Sequence, residues 1–189
     1  MKISTIRHLL CWSYANLAMA HAAVSNSDPK FGRIHFMTRA KVYSGLTNGK
    51  MKIGPLALDE KLKMTLPQCC SYCGVTSSLS VDHLVPTSKG GANLGENLVW
   101  ACRRCNSSKG ARDVLEWLAL TNRFPPLLLL RRYLKLSIEH CEKEQLLDNA
   151  VGDAPPVPFS LHAIPRVYPS PTEMCLWVQP RSEPLTPDD

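Results

Sequence analysis

Apolar residues recur at the spacing of an α-helix in five stretches of the chain, and these stretches surround a central region with a different pattern. In the first stretch, Leu10, Tyr14 and Leu17 fall on one helical face, which predicts a helix that packs on the rest of the protein. The five predicted helices cover residues 1–24, about 34–45, 56–62, about 103–120 and 127–147.

The last predicted helix has the clearest apolar stripe. Pro126 precedes it and suits the first position of a helix, where no backbone N–H is needed. The stripe consists of Leu127, Leu130, Leu134, Ile138 and Cys141. Three basic residues, Arg131, Arg132 and Lys135, fall off the stripe.

In the centre of the chain the period changes from helical to alternating. Apolar and polar residues alternate over residues 79–83, which predicts a half-buried strand that ends before Pro86. Residues 87–96 are polar, contain three glycines and predict a loop. The short apolar run 98–100 predicts a second strand, and the helix 103–120 follows it, weakened by Gly110. The order strand, loop, strand, helix predicts an α+β fold.

Proline and charge divide the chain into four predicted segments. These are a basic helical N-terminal segment (1–67), a central domain (68–122), a C-terminal helix (123–149) and a proline-rich tail (150–189). The tail holds nine of the fifteen prolines, which predicts extended chain on the surface. Within it we expect an edge strand at Met174–Val178 and a disordered acidic end at Pro184–Asp189.

The net charge of +6 comes from the N-terminal segment. Residues 1–67 carry ten Lys and Arg against three Asp and Glu, whereas the balance is +1 over residues 68–122 and −2 over residues 123–189. Such a basic excess is typical of a segment that lies along a phosphate backbone, so we expect DNA as a partner. The candidate phosphate contacts are Lys30, Arg33, Arg39, Lys41, Lys50 and Lys52.

The N-terminus has some features of a secretory signal. Met1–Arg7 is basic, residues 9–20 are mostly apolar, and Ala18-Met19-Ala20 resembles a cleavage site. Polar residues interrupt the apolar run, which is also too short to span a membrane. We therefore expect a packed helix in a cytoplasmic protein without a membrane segment, and keep the signal peptide as the alternative.

Two Cys-x-x-Cys pairs, Cys70/Cys73 and Cys102/Cys105, lie 28 residues apart. Each spacer lets two thiolates turn onto one ion, and two pairs complete a tetrahedral zinc site with Zn–S bonds of about 2.3 Å. Four thiolates leave no open position, so the predicted zinc is structural. Cys69 offers an alternative register, and two disulfides are the alternative chemistry.

Residues suited to acid–base and metal chemistry lie between and beside the two pairs. A histidine such as His83 is mostly neutral near pH 7 and can take a proton from water. Neighbours on a strand face opposite sides, so Asp82 and His83 serve one site only if the strand ends or twists there.

Together these motifs resemble the HNH endonuclease family, the ββα-metal nucleases, over about 40 of the 189 residues. The residues that carry the resemblance are Cys70-x-x-Cys73, Asp82-His83 with Pro86, Gly90-Gly91, Asn97-Leu98 and Cys102-x-x-Cys105-Asn106-x-x-Lys109-Gly110. One departure is Asn106, which stands where the family name has its last His.

The resemblance implies a ββα-metal core clamped by a four-cysteine zinc site, with cleavage or nicking of DNA as its activity. It further implies that Asp82 and Asn106 hold a divalent Mg²⁺ or Mn²⁺ ion, that His83 is the general base, and that Asn97 orients the loop. Lys109 or Arg104 would contact backbone phosphates. The alternatives are a zinc-stabilised DNA-binding module without catalysis and a secreted disulfide protein.

Overall fold

The computed structural model describes residues 3–182, and over that range it contains six α-helices and one two-stranded antiparallel sheet. The elements in chain order are α1 (Ile6–Ser25), α2 (Arg33–Thr47), α3 (Leu56–Thr65), β1 (Leu79–His83), β2 (Leu98–Cys102), α4 (Arg103–Lys109), α5 (Val114–Leu120) and α6 (Leu127–Lys143). The predicted α+β class is confirmed.

The sheet is the hairpin that the alternating pattern predicted. Asp82 of β1 lies opposite Val99 of β2, and His83 lies opposite Leu98. Directly opposed residues share a face of an antiparallel pair, and neighbours along a strand alternate between faces. Asp82 and His83 therefore point to opposite sides of the hairpin, as the sequence indicated. The second strand is longer than predicted and ends at Cys102.

The prediction of one helix over residues 103–120 is wrong, because the chain breaks between α4 and α5. Gly110 follows α4 with a φ of 53°, a left-handed value that favours glycine and ends the helix. Asp113 then starts α5, since its side chain accepts hydrogen bonds from the backbone N–H groups of Leu115 and Glu116. The break turns α5 away from α4 and towards the core.

The core is one apolar cluster, and all four predicted segments contribute residues to it. Leu9 and Leu10 of α1 and Leu130 and Leu134 of α6 are fully buried within it. The N-terminal helix thus packs on the domain as predicted. No helix among residues 3–182 combines the length and the apolarity that crossing a membrane requires.

Helix α6 starts after Pro126, as predicted, and ends at Lys143, four residues earlier than expected. Its apolar stripe is buried, but so are Arg132 and Lys135, which the pattern placed off the stripe. Their charges are satisfied by α3: Arg132 pairs with Glu60, and Lys135 pairs with Asp59. Because α3 supplies these acidic partners, α6 buries two basic side chains in addition to its apolar stripe.

The tail contributes to the core, which corrects the expectation of surface packing alone. Phe159, Ile164 and Tyr168 are buried in the apolar cluster, because apolar residues placed between prolines need no regular structure to be covered. Residues 174–178 form no strand. Instead, the carbonyls of Cys175 and Leu176 accept hydrogen bonds from the first residues of α6. Residues 184–189, predicted to be disordered, lie outside the described part of the chain.

Candidate active site and metal centre

Four cysteine sulfurs converge at one end of the hairpin. Cys70 and Cys73 lie in the turn before β1, and Cys102 and Cys105 lie where β2 passes into α4. All four Sγ atoms lie within 4.8 Å of one another, and those of Cys73 and Cys102 are 3.7 Å apart. A tetrahedron with Zn–S bonds of about 2.3 Å has sulfur–sulfur edges of about 3.8 Å, so this spacing fits a four-thiolate metal site.

The remaining alternatives for the cysteines are resolved by the same geometry. Every cysteine lies in the described range and none forms a disulfide there. The Cys69 sulfur points away from the cluster, with its Sγ 3.6 Å from the carbonyl oxygen of Val178. The cluster thus uses Cys70.

Burial and the proximity of the four sulfurs oppose the ionisation of all four thiols together. Hydrogen bonding, first from Cys105 and then from backbone groups, lowers the pKa of the Cys70 thiol to about 5. Burial raises the pKa of the Cys73 thiol to about 11, and the nearby Cys70 charge adds to that effect. One thiolate forms readily, whereas four buried thiolates together require a positive ion among them.

Asp82 is buried at 6% exposure and holds one hydrogen-bond donor on each carboxylate oxygen. The Tyr72 hydroxyl donates to Oδ2 at 2.5 Å, and the Lys109 ammonium donates to Oδ1 at 3.1 Å. Tyr72 lies between the cysteines of the first pair, and Lys109 ends the helix that carries Cys105. Both arms of the cysteine cluster are thereby tied to Asp82.

Tyr72 is a site residue that sequence reasoning missed. Burial, followed by the neighbouring Asp82 charge, raises the pKa of its phenol well above the ordinary value, so Tyr72 stays a hydrogen-bond donor at neutral pH. Its ring packs edge-on against Trp117 of α5, with centroids 5.0 Å apart. The signal available in the sequence was the position of an aromatic residue with a polar tip inside the Cys-x-x-Cys turn.

The sequence predicted that Lys109 or Arg104 contacts backbone phosphates at the surface. For Lys109 this is corrected, because its side chain is buried. Its side chain is 1% exposed, and its ammonium also donates to the His83 carbonyl at 2.8 Å. Lys109 lies three residues after Asn106 and four after Cys105, on the inner face of α4. The four-residue spacing from Cys105 places both residues on one face of the helix, and it could have indicated that Lys109 is buried. Arg104 lies on the exposed side of the first turn of α4.

Asn106 lies against the same face of β1 as Asp82. Its Nδ2 group donates to the Ser80 hydroxyl at 3.0 Å and to the Val81 carbonyl at 3.2 Å. These bonds fix the amide plane and leave its oxygen as the remaining acceptor. The structure thus brings α4 across β1, with Asn106 beside Ser80 and Lys109 beside Asp82.

His83 lies on the opposite face, where its Nε2 is 3.0 Å from the Oδ1 atom of Asn93. An amide oxygen can only accept, so in this pairing Nε2 carries the proton and Nδ1 carries a lone pair. Asn93 belongs to the loop between the strands and was not singled out from the sequence. Nothing in its neighbourhood distinguished it from the other polar loop residues.

Asn97 holds the loop to the hairpin. It is 1% exposed, and its side chain accepts from the Val85 N–H at 2.9 Å and donates to the carbonyls of Val85 and Ala92, both at 2.8 Å. Gly91 makes this closure possible, because a Cβ atom there would overlap the Val85 carbonyl. These hydrogen bonds fix the loop, and they thereby fix Asn93 next to His83.

The comparisons with known proteins concern this same unit. The model of the HNH endonuclease family matches residues 70–112. The resemblance seen in the sequence is confirmed for this segment. CRISPR-associated endonuclease Cas9 of Corynebacterium diphtheriae is 44% identical over 52 residues, which cover 25% of this chain and 5% of that protein. No solved structure matches the chain. Both matches support a nuclease in general terms.

Proposed function

We propose that the chain is a metal-dependent endonuclease that hydrolyses or nicks DNA phosphodiester bonds. The observation that carries this proposal is that Asp82 and His83 are the last two residues of β1 and that Asn106 lies on α4, which packs against β1, all inside the segment that the HNH family model matches. The Cas9 relative is named as an endonuclease, but this chain spans only 5% of its length.

The four-cysteine cluster fits a structural zinc ion. The sulfur spacing matches a tetrahedron, and all four cysteines are buried, which leaves no place for a substrate. Cys70, Cys73, Cys102 and Cys105 would hold the ion. In this role zinc joins the turn before β1 to the start of α4, and so fixes the helix that carries Asn106.

The chemistry of Asp82 and Asn106 fits a divalent Mg²⁺ or Mn²⁺ ion. Both are hard oxygen donors on facing elements, and each Asp82 oxygen, with one hydrogen bond accepted, retains a second lone pair. When bound, such an ion supplies positive charge for the scissile phosphate and the leaving oxygen. Tyr72 and Lys109 orient the carboxylate, and Ser80 orients the Asn106 amide.

His83 is proposed as the general base. The pairing with Asn93 keeps the proton on Nε2, which leaves the Nδ1 lone pair to take a proton from the attacking water. The hydrogen bond from Lys109 to the His83 carbonyl holds the backbone at this position. Asn97 acts on the loop and not on the reacting atoms.

Basic residues in the N-terminal segment provide a surface for the DNA backbone. Lys30, Arg33, Lys41, Lys50 and Lys52 are exposed, as phosphate contacts require. Arg39 is half-buried, and its guanidinium lies 4.8 Å from the centroid of the Trp12 ring. The cytoplasmic location expected from the sequence stays a prediction.

The test is incubation of the purified protein with supercoiled plasmid and Mg²⁺ or Mn²⁺, with EDTA as the metal-free control. Because a positioned base contributes about 10²–10⁴-fold, His83→Ala should lower the cleavage rate by that order while zinc content and DNA affinity persist. His162→Ala removes an exposed histidine and is the matched control. Equal rates for wild type and His83→Ala would refute this assignment of the base.

A DNA-binding module without catalysis is the second candidate. The observation that favours it is that both carboxylate oxygens of Asp82 already accept hydrogen bonds, one from Tyr72 and one from Lys109, and so have a structural role without a metal ion. The same experiment separates the two candidates. Wild-type protein that shifts DNA in a gel but leaves plasmid intact with both metals is a binding module.

A further inference from the structure

Three charged side chains from α3 and α6 converge on the turn that precedes β2. Glu60 and Lys63 come from α3, and Arg132 comes from α6. The turn is the short 3₁₀ segment Gly95–Asn97. It lies at the opposite end of the hairpin from the cysteine pairs. None of these three side chains belongs to the segment that the HNH family model matches.

Arg132 reaches the turn from one side. Its guanidinium donates to the carbonyl oxygens of Gly95 and Glu96, each at 2.7 Å. It also contacts the Glu60 carboxylate at 3.0 Å. The side chain is 4% exposed, so these bonds form away from bulk water.

Lys63 reaches the turn from the other side. Its ammonium donates to the carbonyls of Gly95 at 3.0 Å and Leu98 at 3.1 Å. Glu60 joins the two cations, because Lys63 lies 2.7 Å from its Oε1 and Arg132 lies 3.0 Å from its Oε2. These three residues, which we call the α3–α6 clamp, thus hold the carbonyls of Gly95 and Glu96 in the turn and of Leu98 at the start of β2.

Hydrogen bonds and short stretches of backbone connect this turn to His83. Asn97 follows the two clamped carbonyls directly, and its own carbonyl accepts from the Leu84 N–H at 2.9 Å. Its side chain holds Val85 and Ala92. The next residue after Ala92 is Asn93, whose amide oxygen meets His83.

We propose that the α3–α6 clamp is a positioning device for the catalytic loop: it sets Asn97, and through Asn97 it sets the Asn93–His83 pair. The inference rests on the proposed nuclease function. It assigns a role to helices outside the matched segment. Glu60, Lys63 and Arg132 are positioning residues, since none touches His83.

The burial of Arg132 argues that geometry and not stability accounts for the residue. A buried guanidinium loses its hydration, and a well-packed apolar side chain at the same place is often at least as stable. The Arg132 Nε group has no hydrogen-bond partner within the described chain, which adds to the penalty. An apolar residue, however, has no donors for the carbonyls of Gly95 and Glu96.

The test compares Arg132→Met with Arg131→Met. Arg131 is the neighbouring cation on α6; it pairs with Asp59 at 2.5 Å and, within residues 3–182, forms no hydrogen bond or ion pair with the turn. Cleavage is measured well below the melting temperature of every variant. We expect Arg132→Met to lower kcat by about 10–100-fold with KM unchanged, because a displaced catalytic group loses rate and not DNA contacts. Arg131→Met should keep the wild-type kcat.

Amide hydrogen exchange supplies a readout that does not depend on activity. Arg132→Met should speed exchange at Leu84 and Val85, whose N–H groups bond to Asn97, by about 10-fold or more. Exchange at the Gly74 N–H, which bonds to the Cys70 carbonyl, should stay unchanged. Lys63→Met removes the other half of the clamp and should give the same pattern in milder form if Arg132→Met does not fold.

The outcomes separate this inference from the proposed function. If His83→Ala abolishes cleavage while both clamp variants keep the wild-type kcat and the Leu84 and Val85 protection, the inference is wrong and the nuclease stands. If His83→Ala cleaves at the wild-type rate, the assignment of His83 as the base fails. The exchange pattern then still decides whether the clamp holds the loop.

Discussion

The two ends of the hairpin are held by different means. At the end near residues 70–73 and 102–105, four sulfurs converge within 4.8 Å, and a single ion can join them. At the loop end, the backbone carbonyls of Gly95, Glu96 and Leu98 accept hydrogen bonds from Arg132 and Lys63. The first end uses side chains from the hairpin and the segments that directly flank it, whereas the second depends on helices farther along the chain, before and after the hairpin.

This difference shows what a short family match covers. Residues 70–112 contain all the proposed metal ligands and His83, but they do not contain the clamp. The ligands of an ion can be identified from spacing, since the ion itself fixes their geometry. The position of a base at the end of a strand also depends on what packs on the adjoining loop, and here α3 and α6 do so.

Asp82 is where the two ends meet. It accepts from Tyr72 of the cysteine turn and from Lys109, whose ammonium also holds the His83 backbone. Disruption of the cysteine end should therefore reach the site through Asp82. Disruption of the loop end should reach it through His83 and leave zinc in place.

The largest expected effect comes from Cys102→Ser. Structural zinc contributes apparent binding free energies of about 10–16 kcal/mol in zinc-finger peptides, comparable to the whole stability of about 5–15 kcal/mol of a typical domain. We expect the variant to lose its bound zinc and most of its cooperative unfolding transition. Atomic emission and circular dichroism melting measure the two losses.

Cys175→Ser is the matched control, because Cys175 is exposed and outside the cluster. It should keep one zinc per chain and the wild-type melting temperature. Wild-type protein that is purified without zinc, and melts identically with and without a chelator, would contradict the metal role of the cysteines.

Lys109→Met should have the next largest effect. It leaves the buried Asp82 carboxylate without its cation, and removal of one partner of a buried ion pair costs about 3–5 kcal/mol. Zinc content should stay unchanged. Mn²⁺ should raise the melting temperature of Lys109→Met by more than that of wild type, because Asp82 then has no other cation.

Lys89→Met, which removes an exposed lysine of the loop, is the control for Lys109→Met and should melt like the wild type. Equal melting temperatures for the two variants would show that Lys109 and Asp82 do not depend on each other. A Mn²⁺ response no larger than that of wild type would argue against Asp82 as a ligand.

Periodicity and spacing predicted the hairpin, the cysteine cluster and most of the helices. They succeeded because these features depend on neighbours along the chain: alternation for β1, and two-residue spacers for the thiols. The break between α4 and α5 was missed, because Gly110 was read as a weak helical residue and not as the residue that ends α4 with a positive φ.

Buried charges were the main feature that the sequence did not reveal. Arg132 and Lys109 were expected at the surface, since a hydrophobic pattern ranks charged residues as exposed. Each is buried because an acidic partner meets it, 72 residues away for the Arg132–Glu60 pair and 27 for the Lys109–Asp82 pair. Spacing could place Lys109 on the inner face of α4, but a single sequence does not identify the acidic partner of either residue.

Gly91→Ala should have the smallest effect on stability and the most local one. A Cβ atom at residue 91 would overlap the Val85 carbonyl and crowd the Asn97 amide, and backbone atoms cannot rotate away. Overpacking of this kind costs about 1–3 kcal/mol. The variant should keep its zinc, unfold at lower urea and cleave DNA more slowly, because Asn97 no longer holds Val85 and Ala92 together. Gly152→Ala, where an added Cβ meets no atom within 4 Å, is the control. A Gly91→Ala variant that matches it in urea midpoint and cleavage rate would show that the loop end tolerates movement, and the contrast between the two ends would fail.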